Sequence, residues 1–443
     1  MNLRTKQFNI NLIALILPTL GIFTLSLWFT LVWRYPNGLD SNQLALHIKL
    51  FGWISLLWLA INYGFGLLDL WSYKTMARAT SALVGASITN LFFAFVLFYL
   101  QPNLILTPRR FLFVDVAVVF VLSFVWQAFI RSIARKAIRS RVYLLDLEKE
   151  FIEIKTELDR TGLGSDLILH AISKDQLMEQ EQHLSKKNES ALFVLPMNTT
   201  FSASVLKTLE TLHACGISFI KFDAFYEDLF RRVYTPNLTE WWFLENTNRN
   251  KNGLYPAFQR LGDVFVGLVI FFVFAITFPF VALAIKLTSR GPIFFKQSRR
   301  STNGSTFTIY KYRTMKTGTA TNTWTEKHDS RITPVGKALR KLRIDELPQW
   351  MNLIRGDMSF VGPRPEQETI VEQLRTEIPF FDSRHTVLPG LTGWAQLHVY
   401  AGTTEESKRK LQYDLYYLKH RSFLFDLEII LKTISHIFFL SGT

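Results

Sequence analysis

The chain has 443 residues, of which 49% are hydrophobic, and it carries a formal net charge of +14 at pH 7. This length exceeds that of one ordinary soluble domain, and the apolar yet basic composition indicates a membrane protein that faces anionic headgroups or phosphorylated substrates. Charge alone would also fit nucleic acid, but no recognisable binding motif accompanies it, so no nucleic-acid partner is expected. The single cysteine, Cys215, excludes an internal disulfide and gives no indication of an oxidising compartment.

The first 141 residues contain four long apolar runs, at 8–33, 50–68, 79–108 and 111–130. A helix that crosses the hydrocarbon needs about 20 residues, so 1–141 is predicted to be a bundle of four transmembrane helices. Four buried helices of a soluble protein are the weaker alternative, because runs of this length are typical of membranes. A transporter would carry polar or charged residues in several spans, whereas the one charged residue in these runs is Asp115.

The distribution of Lys and Arg in the short loops predicts the orientation. Basic residues collect on one side of a four-pass bundle, before the first run, between the second and third, and after the fourth: Arg4, Lys6, Lys74, Arg78, Arg131, Arg135, Lys136, Arg139 and Arg141. Arg109 and Arg110 lie on the opposite side, but the cluster after the fourth run is larger. The amino terminus and the chain after residue 131 are therefore predicted to be cytoplasmic.

Residues 142–245 alternate between apolar stretches and charged helical stretches. The segments 142–147, 166–172, 191–196 and 217–223 are predicted strands. Strands that alternate with helices predict a parallel, doubly wound sheet, so we expect a cytoplasmic Rossmann-like α/β domain here. Such sheets often hold nucleotides, but the first strand leads into Glu148-Lys149-Glu150 rather than GxGxxG. A regulatory or structural role is therefore favoured over nucleotide binding.

A fifth apolar run, 264–285, carries no charge and contains Pro279. Proline removes a backbone donor and kinks a helix. The run is long enough to cross the membrane as a kinked helix, and it also fits a helix that bends at the proline and returns to the same side. The residues of the run do not distinguish these two arrangements.

Basic and aromatic residues alternate in the segment 295–315, FKQSRRSTNGSTFTIYKYRTM. A strand of period two would place Lys311 on the face opposite Tyr310 and Tyr312. This pattern fits a phosphate-binding rim that includes Lys311 and Arg313. Taken alone, it is better explained by a solvated basic face beside the membrane.

The acidic pair Asp345-Glu346 lies in a helically spaced segment that Pro348 is expected to disturb. Neighbouring carboxylates can bind a divalent cation, and a carboxylate can attack phosphorus as a nucleophile. Four arginines close in sequence can neutralise a pyrophosphate: Arg340, Arg343, Arg355 and Arg364. An isolated Asp-Glu pair is a weak signal, because such pairs usually lie on a solvated helix face. Further on, 413–434 fits an interfacial amphipathic helix and a core helix equally well.

Seven blocks occur in order along the last part of the chain: GPIFFKQ, TFTIYKYRTM, DSRIT, LRIDELPQ, GDMSFVGPRP, PGLTGWAQ and YDLYYLKHRSFLFDLEI. Together they closely resemble the catalytic domain of the bacterial sugar transferases, the monotopic polyprenyl-phosphate phosphoglycosyl transferases, over about 259–434. The four predicted membrane helices and the α/β domain resemble the large form of this family, which initiates exopolysaccharide, capsule or O-antigen synthesis.

The resemblance implies a mechanism. Asp345 would attack the β-phosphate of a nucleoside diphosphate sugar, with uridine as the expected base, and a polyprenyl (undecaprenyl) phosphate would then accept the phosphosugar. Mg²⁺, or Mn²⁺ in its place, would bridge carboxylate and pyrophosphate, with Asp345 as the main ligand and Glu346 as a second ligand or base. The residues expected to bind phosphate or substrate are Lys311, Arg313, Arg340 and Arg364.

The resemblance also implies an architecture. Residues 259–443 would form an α+β catalytic domain on the cytoplasmic face of the bacterial inner membrane, with a re-entrant helix at about 262–287 that breaks at Pro279. A homodimer is compatible with the large form of the family, and the transferred sugar is left open. The alternative is a non-enzymatic membrane scaffold with a decayed transferase domain, against which the intact acidic pair and GPRP block argue.

Overall fold

The computed structural model describes residues 3–38, 40–68, 76–100, 109–137, 140–161, 167–178, 191–197, 200–246, 253–316, 331–399 and 403–439. Asp329 and Ser330 of the DSRIT block lie outside the described residues. So do Lys74 and Arg139, two of the basic residues that predict the orientation in the membrane. The chain divides into two compact units, Met1–Phe230 and Arg231–Thr443. Each is described below by itself.

The N-terminal unit begins with four long helices: α1 (Leu3–Arg34), α2 (Ser41–Gly64), α3 (Met76–Leu100) and α4 (Arg109–Ala137). Side chains from all four share one apolar core, among them Ile22, Ile54, Ala94 and Leu112. With a fifth helix of the C-terminal unit, Tyr255–Thr288, they are the helices in the described part of the chain that are long and apolar enough to cross a membrane. The chain therefore has the helices of a membrane protein.

Asp115 is buried in the four-helix segment, with 2% of its surface exposed. Two hydroxyl groups of α1 face its carboxyl group: Ser26 Oγ lies 2.5 Å from Asp115 Oδ1, and Thr30 Oγ1 lies 3.5 Å from the same atom. A carboxyl group in apolar surroundings needs such partners, since an unpaired polar group would be costly there. The hydroxyl groups of α1 thus accommodate the acidic residue of α4.

A four-stranded sheet completes the N-terminal unit. Its strands are β1 (Ser140–Leu145), β2 (Leu167–Ile172), β3 (Ala191–Leu195) and β4 (Ser218–Lys221), in the order β2-β1-β3-β4 with every pair parallel. Helix α5 (Glu148–Thr161) lies between β1 and β2, α6 (Ala203–Ala214) lies between β3 and β4, and α7 (Phe222–Phe230) follows β4. Leu145, Phe193 and Leu212 are fully buried between sheet and helix. The prediction of a parallel α/β region is confirmed.

The carboxyl end of β1 does not suit a bound phosphate group. Asp146 follows the strand in a left-handed conformation, with φ at 51°, and its carboxylate pairs with Lys174 at 2.7 Å. Helix α5 then opens with Glu148 and Glu150 in its first turn. Acidic side chains suit the positive end of a helix dipole, but they would repel a phosphate at the same position.

The C-terminal unit combines one long helix with short strands and further helices. Its elements are α8 (Glu240–Asn246), α9 (Tyr255–Thr288), β5 (Phe294–Arg300), β6 (Thr306–Tyr312), α10 (Pro334–Lys341), α11 (Trp350–Arg355), β7 (Ser359–Val361), α12 (Glu368–Glu377), β8 (Gly390–Thr392), α13 (Thr404–His420) and α14 (Phe423–Phe439). Strands β5 and β6 form an antiparallel hairpin, and β7 and β8 form a short parallel pair.

One side of α9 packs against its own unit from beginning to end. Near its start, Asp263 accepts a hydrogen bond of 2.7 Å from the amide of Phe360. In the middle, the rings of Phe271 and Trp350 have centroids 4.7 Å apart. Near its end, Ile285 is 1% exposed. The whole helix is therefore in contact with the fold that follows it in sequence.

The opposite side of α9 is apolar and uncovered. Each of the following side chains is at least 55% exposed: Phe258, Leu261, Phe265, Phe272, Ile276, Phe280, Leu283 and Leu287. Pro279 lies inside the helix. A contiguous apolar face of this size marks a surface that is covered by a membrane or another partner rather than by water.

Candidate active site

The acidic pair lies on a tight 3₁₀ turn, Ile344–Gln349, between α10 and α11. The turn begins after Arg343, whose φ of 57° is left-handed, and it contains Pro348. Proline is not tolerated in the interior of an α-helix, because it removes an amide donor and clashes with the preceding turn. The helical spacing of this segment is accordingly divided, as expected from Pro348, and Asp345 and Glu346 lie where the chain turns.

Apolar side chains hold this turn against the fold. Ile344 and Leu347 pack against a buried cluster that includes Ile285 of α9, Tyr312 of β6 and Leu339 of α10. Because these side chains point inward, the carboxylates between them are fixed relative to β6. The turn is thus a rigid support for the acidic pair.

Glu346 is the anion of a buried ion cluster. Its Oε1 lies 2.8 Å from Lys311 Nζ and 2.9 Å from Arg364 Nη2, and its Oε2 lies 3.9 Å from Arg343 Nη1. Burial alone would raise the pKa of Glu346, but the charges of Lys311, Arg364 and Arg343 outweigh it and hold that pKa well below its usual range. Glu346 is therefore a permanent carboxylate that brings two or three cations together.

Asp345 is in a different situation, although it is the next residue in sequence. It is 8% exposed, and within the described part of the chain no hydrogen-bond donor reaches its buried Oδ1. Burial raises the pKa of Asp345, the charge of Glu346 raises it further, and the charges of Lys311, Arg340 and Arg343 act against them. A carboxylate oxygen without a partner beside a cluster of cations is available to attack or to bind a cation.

The carboxylates differ in their fitness for a metal ion. Among the described residues there is no group of three or more His, Cys, Asp or Glu side chains arranged to hold one. Mg²⁺ commonly uses one or two carboxylates and completes its coordination with water and substrate phosphate oxygens. The unpartnered Oδ1 of Asp345 fits that role, whereas Oε1 of Glu346 is already taken by two cations.

The predicted phosphate-binding residues fall into two groups. Lys311 and Arg364 meet at Glu346, and Arg340 acts electrostatically on Asp345 while its Nε donates to Thr314 Oγ1 at 2.8 Å. Arg313 is 6% exposed. It donates 2.8 Å and 3.1 Å hydrogen bonds to the carbonyls of Ser289 and Arg290, just after α9. Lys311 faces the acidic pair from within β6, whereas Arg313 follows the last residue of β6, Tyr312, and holds the end of the long helix.

A second ionic cluster, which was not predicted from the sequence, holds the backbone of Arg364. Arg384, 1% exposed in its side chain, lies 2.8 Å from Asp414 and donates a 3.0 Å hydrogen bond to the carbonyl of Arg364. Glu366 pairs with Lys410 of α13. Burial would raise the pKa of Glu366, but Lys410 and Arg384 lower it to about 2. The i, i+4 spacing of Lys410 and Asp414 on one helix was the available signal.

Glycines make the backbone path to Arg364 possible. A Cβ on Gly390 would lie 2.1 Å from the amide nitrogen of Gly362, and one on Gly393 would lie 2.1 Å from the Gly362 carbonyl oxygen. The amide of Gly362 donates to the Thr392 carbonyl at 2.9 Å. The GPRP block is therefore seated directly on the PGLTGWAQ block, with no room for side chains between them.

The chain is similar in sequence to known sugar transferases. The family model described as "Bacterial sugar transferase" matches residues 254–440. The chain is 42% identical over 184 residues to a UDP-N-acetylgalactosamine-undecaprenyl-phosphate N-acetylgalactosaminephosphotransferase of Aeromonas hydrophila, a match that covers 41% of this chain and 44% of the relative. It is 36% identical over 188 residues to a UDP-glucose:undecaprenyl-phosphate glucose-1-phosphate transferase of Escherichia coli, covering 41% of this chain and 40% of that protein.

A shorter relative is matched over most of its length. The chain is 38% identical over 191 residues to the exopolysaccharide production protein PSS of Rhizobium leguminosarum bv. phaseoli, a match that covers 40% of this chain and 92% of the relative. The match spans less than half of the two longer relatives but nearly all of this one. Residues 254–440, which the family model matches, contain the acidic pair and all four predicted phosphate-binding residues. The chain belongs to the bacterial sugar transferase family.

Proposed function

We propose that this protein transfers a sugar 1-phosphate from a UDP-sugar to undecaprenyl phosphate, as the first membrane step of surface polysaccharide biosynthesis. The observation that carries the proposal is the contrast within the acidic pair. Glu346 is neutralised by Lys311 and Arg364, while Asp345 keeps an unpartnered oxygen beside the same cations. The relatives, which are named for their action on UDP-sugars and undecaprenyl phosphate, support the choice of substrates.

In the first step Asp345 is the nucleophile. One carboxylate oxygen forms a bond to the β-phosphorus of the UDP-sugar, and the bond from that phosphorus to the bridging oxygen breaks. UMP leaves with the bridging oxygen, and the phosphosugar remains on Asp345 as an acyl phosphate. Lys311 and Arg364 hold the phosphoryl oxygens and offset the charge that develops on them.

In the second step an oxygen of undecaprenyl phosphate attacks the same phosphorus. The bond between phosphorus and Asp345 breaks, which regenerates the carboxylate and releases undecaprenyl diphosphate sugar. The covalent intermediate allows a water-soluble donor and a lipid acceptor to react one after the other. When Mg²⁺ is bound, it would be held by Asp345 together with phosphate oxygens, and it would supply positive charge to the pyrophosphate.

The long helix α9 is proposed to enter the cytoplasmic leaflet and leave on the same side, as a re-entrant element with Pro279 near its deepest part. Both ends of the helix contact one folded unit: Asp263 bonds to Phe360, and the chain just after the helix, at Ser289, is held by Arg313. Between these ends Phe271 packs against Trp350 of the same unit, so a helix that crossed the bilayer would carry the packing surface of that unit into the hydrocarbon. The exposed apolar side faces lipid in this arrangement.

We also propose roles for the other parts of the chain. Residues 1–141 are proposed to form a four-helix membrane anchor, 142–245 a cytoplasmic domain of regulatory or structural function, and 259–443 the catalytic domain on the inner face of the bacterial inner membrane. Trp242 and Phe243, from the segment before 259, pack against the catalytic unit. Residues 231–246, the last part of the range 142–245, are therefore proposed to act with the catalytic domain, and the separate cytoplasmic domain is proposed to end at Phe230.

Release of UMP from a panel of UDP-sugars, with and without undecaprenyl phosphate, tests the transfer. UDP-glucose and UDP-N-acetylgalactosamine head the panel. Without acceptor we expect a burst of UMP that is stoichiometric with the protein, because Asp345 is loaded once. Asp345→Asn abolishes the burst, while Asp382→Asn, which removes an exposed carboxylate paired with Arg375, leaves it intact.

Two results would contradict the proposal. Full release by Asp345→Asn would exclude this residue as the nucleophile. Absence of turnover on every donor, in protein that is folded and reconstituted, would favour the scaffold alternative.

Site-specific labelling tests the course of α9. In a Cys215→Ser background, single cysteines replace Gly253 before the helix and Arg290 after it. A membrane-impermeant thiol reagent should reach both positions in inverted vesicles and neither in right-side-out vesicles. Labelling of the two positions from opposite sides would establish a spanning helix.

A further inference from the structure

Arg231 lies outside the segment that matches the family, yet it belongs to the catalytic unit. It is the first residue of the unit Arg231–Thr443, whereas the family match begins at residue 254. Its φ of 52° is left-handed, a conformation that is unfavourable for a residue with a Cβ. A residue held in this conformation is fixed by its surroundings.

The surroundings of Arg231 are specific on three sides. Its guanidinium group pairs with Glu428 through both nitrogens, with Nη2 2.9 Å from Oε2. The same group lies over the ring of Trp394 at 4.4 Å from the centroid, and over Phe425 at 5.2 Å. Its carbonyl accepts a 2.9 Å hydrogen bond from Trp394 Nε1. A planar, bidentate and stacked arginine is a role that lysine does not reproduce.

Trp394 leads from Arg231 to the phosphate-binding loop. It is 1% exposed, and it directly follows Gly393, which contacts the backbone of Gly362. One residue earlier, the Thr392 carbonyl accepts the Gly362 amide at 2.9 Å. The ring of Trp394, fixed by Arg231, therefore fixes the strand on which Gly362 is seated.

Gly362 in turn determines where Arg364 begins. The carbonyl of Pro363 accepts the Gly390 amide at 2.8 Å, so the backbone on both sides of the loop is bound to β8. The side chain of Arg364 then reaches Glu346 at 2.9 Å. A shift of this backbone would move the guanidinium group away from the acidic pair.

We propose that Arg231 is a positioning residue for Arg364, acting through Trp394 and the backbone of β8. This inference rests on the proposed phosphosugar transfer, in which Arg364 holds the phosphoryl oxygens. The junction that follows the last helix of the N-terminal unit is thereby part of the catalytic apparatus. Misplacement of a catalytic group by about 1 Å is enough to lower a rate by about a hundredfold.

The main test combines Arg231→Gln with Arg364→Lys in full-length protein. Arg231→Gln should lower kcat for UMP release by about ten- to a hundredfold, with a smaller change in KM, because the donor still binds. In the Arg364→Lys background the same change should cost less than about threefold, since groups that act as a unit are not additive. Arg231→Lys should restore activity only in part.

A second measurement does not depend on activity. Hydrogen–deuterium exchange of the amides in 359–362, which are bonded to β8 and α9, should be faster in Arg231→Gln, with exchange in β5 and β6 unchanged. If Arg231→Gln does not fold, Trp394→Phe serves as the test variant in its place. It keeps an aromatic ring but removes the donor to the Arg231 carbonyl, and it should give the same faster exchange in 359–362. Arg375→Gln, a surface arginine of the same unit, is the matched control.

Two results would contradict the positioning role of Arg231 and the proposed function, respectively. Additive effects of Arg231→Gln and Arg364→Lys, together with unchanged exchange in 359–362, would overturn the proposal. A wild-type protein without UMP release on any donor would instead refute the proposed function, and the exchange experiment would still test the link between Arg231 and the loop.

Discussion

Neutralising Glu346 and neutralising Lys311 should shift the pH dependence of UMP release in opposite directions. In the proposed mechanism Asp345 attacks phosphorus as a carboxylate, so the rate of UMP release should fall as the pH decreases through the pKa of Asp345. The charge of Glu346 raises that pKa and the charge of Lys311 lowers it, on top of a larger rise from burial. Glu346→Gln should therefore move the acid limb to lower pH, and Lys311→Met should move it to higher pH.

The direction of each shift follows from the sign of the charge removed. A like charge near a carboxyl group raises its pKa and an opposite charge lowers it, so the acid limbs of the two variants should lie on opposite sides of the wild-type limb. In Glu346→Gln the freed cations add to the effect. These cations are Lys311 and Arg364, which lie 2.8 and 2.9 Å from Glu346 in the wild type. Once residue 346 is neutral, Asp345 is the remaining carboxylate of the acidic pair on which their charges act.

Glu346→Gln should also cost stability. Glu346 has 11% of its side chain exposed and pairs with Lys311 and Arg364. Removing one partner from a buried ion pair typically costs about 3–5 kcal/mol, because the other charge is left uncompensated. The loss should be smaller in Lys311→Met, since Glu346 keeps Arg364. Thermal unfolding of both variants in the same detergent provides this comparison.

The assay is the single-turnover burst of UMP without acceptor lipid, measured across the acid range for wild type and both variants. The burst isolates the step that is proposed for Asp345. If both variants displaced the acid limb in the same direction, the limb would belong to another group, and the reasoning about the acidic pair would fail.

Three further predictions concern the support of the site. Gly390→Ala should destabilise the protein by about 3 kcal/mol and reduce UMP release, because its Cβ would lie 2.1 Å from the Gly362 amide nitrogen, an overpacking that the backbone has to relieve. Asn352→Ala should cost about 1–3 kcal/mol in thermal or chemical unfolding, because the fully buried amide donates to the Thr308 carbonyl at 2.8 Å and its loss leaves that acceptor unpaired. Burial and the neighbouring Arg384 lower the pKa of His385 to about 4, so the unfolded chain, with an ordinary pKa of about 6.5, binds more protons below that value. Stability should therefore fall as the pH decreases from about 6.5 towards 4, by about 2 kcal/mol between pH 7 and pH 5.

Each of these has a control within the chain. Gly253→Ala introduces a Cβ with nothing within 4 Å and should be neutral. Asn352→Asp keeps the shape but not the amide donor, so a cost as small as that of a surface change would contradict the role given to the hydrogen bond. His385→Asn removes the titrating group, and a pH dependence equal to that of the wild type would show that His385 is not its source.

Several features of this protein follow from the sequence because they depend on local composition. The apolar runs of 1–141 correspond to long helices, since only a helix satisfies its own backbone over such lengths in lipid. The four predicted strands of 142–245 were found within three residues at each end, because apolar runs and helical spacing alternate there. Pro348 divides its helix, as its missing amide requires. The ordered blocks of the last part identify the family.

Other features were decided by the tertiary structure. The spacing of Lys311 and Arg313 would place both side chains on one face of a continuous strand, yet one lies at Glu346 and the other at the end of α9. Because β6 ends at Tyr312, the contacts after the strand, and not its period, decide the position of Arg313. The residues of the acidic pair by themselves also did not distinguish Asp345 from Glu346, and only the resemblance to the family made Asp345 the expected nucleophile. Packing distinguishes them, since two cations from distant segments reach one carboxylate and leave the other with an unpartnered oxygen. Contacts between residues far apart in sequence, such as Arg231 with Trp394, arise only when the chain folds, because only the fold brings their elements together.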